Sequence, residues 1–94
     1  MRVFLLVTVF VCVWGCAPLR ANGGIADARE RIAQARSVRA AQRAPYEFAL
    51  AEAYLDKARE EDAEGEHEDA IALASRSLQM ADRALALAID EDTP

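Results

Sequence analysis

Apolar residues fall along this chain in two different patterns. The first is unbroken: Val3 to Trp14 are twelve residues without a charge, placed behind the single cation Arg2. The second begins at Ile25 and is periodic, with apolar positions at steps of three and four, the repeat of a helix that buries one face. Ile25, Ala28, Ile32 and Ala35, backed by Val38 and Ala41, predict a first helix over about 25–43. Asp27 and Glu30 near its start and Arg39 and Arg43 near its end suit the helix dipole. Phe48, Ala51, Leu55 and Ala58, flanked by Leu50 and Tyr54, predict a second helix over about 46–63. Ile71, Ala74, Leu78, Ala81, Leu85 and Ala88, widened by Leu73, Met80 and Leu87, predict a third over about 67–89.

The breaks agree with this division. Ala44 precedes Pro45 and is pushed out of the helical region, while Pro45 suits the first position of the next helix. Gly65 stops the second helix, and the short connection there makes the second and third an antiparallel hairpin. No segment alternates with period two, so no strand is expected. The predicted fold is all-α: an antiparallel helical hairpin plus one membrane-proximal helix, three helices over 25–90. An acidic tail over 91–94 is expected to be disordered.

The unbroken run reads as a leader. At about 1.5 Å per residue it reaches about 18 Å, short of the roughly 30 Å hydrocarbon core of a bilayer. Gly15, Pro18, Asn22, Gly23 and Gly24 then stop its continuation. A basic start, an apolar run and a small residue before the cut are the layout of a signal peptide, here 1–15. Val13-Trp14-Gly15-Cys16 resembles the lipobox of bacterial lipoproteins, with Trp14 where that group has a small or aliphatic residue. The resemblance implies that the Cys16 thiol receives a diacylglycerol, that cleavage falls before it, and that the new amine is acylated. Residues 16–24, with Pro18 and the Gly23-Gly24 pair, would form a lipidated flexible tether. Ala17 stands where an Asp would signal inner-membrane retention, which by the same resemblance implies the outer membrane, facing the periplasm. In a host with one membrane the anchor would sit in the cell membrane. Cys12 and Cys16 are four apart, as a metal or disulfide pair on a helix could be, but Cys12 lies in the discarded segment.

Charge divides the chain. Six arginines against Asp27 and Glu30 give residues 17–45 a balance of +4, whereas residues 46–94 carry four basic and fourteen acidic side chains, a balance of −10. The positive part lies beside the anchor, where anionic head groups would attract it modestly, or else it pairs with the acidic hairpin. The acidic part is expected to project outward. It argues against nucleic acid as a partner, which needs a basic footprint. Alanine occurs 21 times; it favours helices but buries little surface. So thin a core leads us to expect self-association or docking onto another protein.

Sites of chemistry are scarce. Glu60, Glu61, Asp62, Glu64, Glu66, Glu68 and Asp69 crowd the turn, but counting from Asp62 puts His67 sixth and Gly65 fourth, so a calcium loop fails. His67 is the single histidine and reads as a surface or packing residue. Ser37, Ser75 and Ser77 lack a Gly-x-Ser-x-Gly setting and a base. No catalytic residue, metal or cofactor is expected beyond the lipid on Cys16. Tyr46, Phe48 and Tyr54 are candidate partner contacts, or core residues at helical spacing.

Two resemblances meet in the hairpin. Gly65, Ala70 and Ala74, followed by Ser77-Leu78, resemble the second helix of a tetratricopeptide repeat, with His67 in place of Tyr and only one unit present. Ala44-Pro45-Tyr46-Glu47, Ala51, Ala53-Tyr54-Leu55, Lys57-Ala58-Arg59-Glu60 and Asp69-Ala70-Ile71 resemble an uncharacterised family of small helical bacterial envelope lipoproteins with one such hairpin. The resemblance implies a location and a fold, not an activity. The expected function is that of a non-enzymatic, lipid-anchored envelope protein presenting its hairpin for protein–protein interaction. The alternative is a homo-oligomeric spacer without a specific client. The membrane through its anchor, and an envelope protein or a second copy, are the expected partners; nucleic acid and small-molecule substrates are not.

Overall fold

A computed structural model describes residues 21–90. The expected signal peptide, Cys16, the tether as far as Arg20 and the tail over 91–94 lie outside the described residues. Helix α1 covers 21–37, α2 Ala40–Arg43, α3 Pro45–Ala63 and α4 His67–Asp90, with no strand among the described residues. Among the described residues the all-helical expectation holds, but the helices number four rather than three.

The difference lies in the first segment. In place of one helix over 25–43, the chain turns at Val38 and Arg39, where Arg39 adopts the left-handed conformation at φ 65°. The Val38 and Arg39 amides donate back three residues, to Ala35 and Arg36, which tightens the end of α1. After the turn, α2 buries Ala40, and Ala44 beyond it is buried too. No Gly, Pro or Asn announces this break, so the pattern of apolar residues runs through it.

The start of α1 is also earlier than expected. Residues 21–24 are helical and Ala21 is fully buried, so this part of the sequence is not a tether. The Gly23-Gly24 pair does not break the helix because packing overrides propensity here. A Cβ on Gly24 would stand 3.3 Å from the Ala74 Cβ, so this Gly permits the close approach of α1 to α4.

Helix α3 begins with Pro45 at its first turn, as its missing amide allows, and buries Phe48, Ala51, Leu55 and Ala58 as predicted. It ends in a Schellman motif. The Glu66 amide donates to Glu61 and the Gly65 amide to Asp62, with Gly65 at φ 83° supplying the left-handed residue.

In α4 the buried stripe differs from the predicted one. Ala70, Ala74, Ser77, Ala81, Ala84 and Ala88 face inward, while Ile71, Leu78 and Leu85 are half-buried flanks. All six inward residues are small, at steps of four and three, so the helices approach closely and the larger side chains wrap the contact from either side. The predicted stripe shares Ala74, Ala81 and Ala88 with the buried one, but Ala70, Ser77 and Ala84 take the inward places predicted for Ile71, Leu78 and Leu85.

These contacts set the topology. Helix α4 is antiparallel to α3 across the Gly65 turn. Gly24 lies by Ala74, Arg31 pairs with Asp82 at 2.6 Å, and Arg43 donates to the Ala88 carbonyl at 3.2 Å, so α1 and α2 run parallel to α4. Arg36 pairs with Glu52 at 2.9 Å and lies over the Phe48 ring, joining α1 to α3. The result is an up-down-up bundle. The first described residues and the acidic hairpin turn occupy the same end of it, which corrects the expectation that the acidic part points away from the N-terminal segment.

Candidate interaction surface

Of the three aromatic candidates, one belongs to the core. Phe48 is buried, with the Arg36 guanidinium 5.6 Å from its ring centre, and cannot contact a partner. Tyr46 is 70% exposed and Tyr54 half-buried. On α3 these two fall on the side away from α1, since residues 52, 55, 56 and 59 line the groove shared with α1. The structure therefore separates Phe48 from the tyrosines.

What the aromatic reading missed is the matching flank of α4. Leu73, Met80 and Leu87 are seven apart and project along one side of that helix. Leu87 is 42% exposed; Leu73 and Met80 are half-buried against the core. Two shallow grooves fix the position of this row. Leu87 shares one with Arg43, Pro45, Tyr46 and Glu47, and Leu73 shares the other with Glu61, Asp69 and Arg76. The outer side of the α3–α4 hairpin thus carries an apolar seam from Leu73 to Leu87, joined on α3 by Tyr54 and Leu50. The signal was present in the sequence as the residues that seemed only to widen the α4 stripe.

Charged groups border the seam. Glu47 on α3 and Asp69, Arg76 and Arg83 on α4 form no ion pair among the described residues. Lys57 is engaged, 3.0 Å from Glu61 and 3.6 Å from Glu60. Its hydrogen bond to Glu61, followed by the charges of Glu60 and Glu61, raises its pKa above the ordinary lysine value.

The remaining sequence candidates are structural in their surroundings. His67 Nδ1 lies 2.7 Å from Asp62 Oδ1, a contact that bridges the hairpin turn. Ser37 Oγ donates to the Gln34 carbonyl at the end of α1, and Ser77 Oγ donates to the Ala51 carbonyl in the interior. Ser75 is exposed.

The described residues thus form a small α-helical bundle whose outer face carries an apolar seam bordered by charged groups. Residues 24–93 match the family described as a domain of unknown function (DUF4398), and the chain belongs to that family. Comparison with curated proteins and with solved structures gives no match.

Proposed function

We propose that this chain is a lipid-anchored envelope protein, without catalytic activity, that presents the outer face of its α3–α4 hairpin for protein–protein contact. The observation that carries the reading is the seam itself. Tyr46 and Leu87 stand exposed in one shallow groove at one end of it, and Leu73 and Met80 continue the apolar row along α4. The lipobox-like Val13-Trp14-Gly15-Cys16 supports the anchor, and Ala17 supports the outer membrane and its periplasmic face. The hairpin keeps the small residues Ala70, Ala74 and Ser77 inward, the arrangement by which a tetratricopeptide-like unit packs its two helices.

The topology gives this reading a direction. Cys16 is five residues from Ala21 and so at most about 18 Å from it. An anchor there tethers the end that carries the acidic turn. The 24-residue α4 rises about 36 Å from that turn, so Tyr46 and Leu87 face away from the bilayer, where a partner can reach them.

Metabolic labelling with a fatty acid tests the anchor: wild-type chain is labelled and sediments with membranes, and Cys16→Ser is not and does not. A photo-crosslinking residue at position 46 or 87 tests the surface and is expected to give a discrete protein adduct. Unlabelled wild type, or no adduct from either position, defeats the corresponding half of the proposal.

A further inference from the structure

Which protein covers the seam is written in the charges beside it. On α4, Asp69, Arg76, Arg83 and Asp90 are spaced by sevens and so line one side of the helix in the order minus, plus, plus, minus. That order is its own mirror image. An antiparallel second copy, laying α4 on α4, would set Arg76 against Arg83 and Asp69 against Asp90, like charge against like.

A parallel two-fold arrangement behaves differently. Rotation about an axis along the seam lays α4 of one copy over α3 of the other. The Ser77–Ala51 hydrogen bond fixes the levels of the two helices. Four residues beyond Ala51 is Glu47, and four beyond Ser77 is Ala81, so Arg83 is within a turn of the level of Glu47. Both are unpaired among the described residues, and in this arrangement each meets the other across the interface. At the turn end the facing groups are Lys57, Glu61 and Asp69, which express no such preference. The axis also brings Leu73, Met80 and Leu87 each against its own copy. Two helices about 28 Å long and about 20 Å across offer roughly 1,100 Å² in total, the low end of specific interfaces.

We infer that a second copy of this chain, parallel to the first, covers the outer α3–α4 face through the Leu73–Met80–Leu87 row and reciprocal Glu47–Arg83 pairs. The inference rests on reading this face as a protein-binding surface and names its occupant. The parallel sense places both N-terminal segments at one end, as two anchors in a single leaflet require.

The test uses the full chain in native membranes, carrying Leu73→Cys or Leu87→Cys singly, under mild oxidation with wild type as the control. A disulfide needs Cα atoms within about 7 Å, and the two positions are about 21 Å apart along α4. A parallel dimer therefore gives a covalent product of twice the chain mass from each variant alone. A product only when the two variants are mixed means an antiparallel pair and overturns the inference. An adduct of another mass also overturns it but leaves the binding surface in place. No adduct from either variant defeats both the inference and the surface. As a second measurement, Glu47→Arg and Arg83→Glu are each expected to weaken association of the detergent-solubilised chain by about tenfold, and the two together to restore it. Failure of the double variant to recover would reject the pairing.

Discussion

The Ser77 hydroxyl donates to the Ala51 carbonyl across 2.6 Å, at a position of α4 with no solvent exposure. It is the one polar side chain among the buried described residues, and it links the two hairpin helices. Because every other inward position of α4 is alanine, the hydroxyl gives the hairpin a register that size alone would not.

Replacing that serine separates its two roles. Ser77→Ala keeps the size and removes one buried hydrogen bond, a loss of about 1 kcal/mol. For a domain of this length that lowers Tm by about 4–8 °C. Ser77→Leu adds volume where α3 and α4 touch and should cost more, about 2–3 kcal/mol. Thermal and urea melts followed by circular dichroism check both. Equal stability of the leucine variant and wild type would mean that the helices are not close here.

The two adjacent glycines of α1 make a matched pair. A Cβ at Gly23 meets nothing within 4 Å, so Gly23→Ala should stabilise the protein by about 0.5–1 kcal/mol through helix propensity. At Gly24 the added methyl presses on Ala74 at 3.3 Å, so Gly24→Ala should gain less or lose stability. If the two alanine variants melt together, α1 does not dock on α4 at this point.

These particular residues also show where sequence and fold part company. Phe48, Ala51, Leu55 and Ala58 were legible as the buried face of α3 because large and small residues alternate there at helical steps. On α4 two overlapping stripes share Ala74, Ala81 and Ala88, their centres about 50° apart, and the larger residues drew the reading toward the wrong side. Periodicity reports the repeat of a face; the choice between neighbouring faces depends on how near the next helix lies. Gly24 and Arg39 were illegible for the same reason, since their roles come from tertiary neighbours and not from local propensity. In the candidate surface, Tyr46 was legible and Leu87 was not, because only the antiparallel register of α3 and α4 brings them together.

Lys57 offers a pH-dependent check on the outer side of the turn. Its raised pKa means that its pairing with Glu61 and Glu60 supports the fold fully below the unfolded-state value near 10.5 and is lost as pH rises through the higher folded value. The stability difference between wild type and Lys57→Met should therefore be level from neutral pH to about 10 and shrink above it. The lysine is exposed, so added salt should shrink the difference at every pH. A difference that persists in strong alkali would assign it to the packing of the lysine stem instead.

Arg39 is the remaining irregularity, and its conformation yields a comparison of three substitutions. An L-residue at φ 65° carries roughly 1–2 kcal/mol of backbone strain, which glycine does not. Glycine also loses more chain entropy on folding, which offsets part of the relief. Arg39→Gly should therefore be about 0.5–1 kcal/mol more stable than Arg39→Ala. Arg39→Val should be the least stable of the three, because a β-branched residue tolerates the left-handed region worst. The measurement is a set of urea midpoints at fixed slope. An order with valine above glycine would mean that α1 and α2 form one unbroken helix, and the turn at Val38–Arg39 would have to be abandoned.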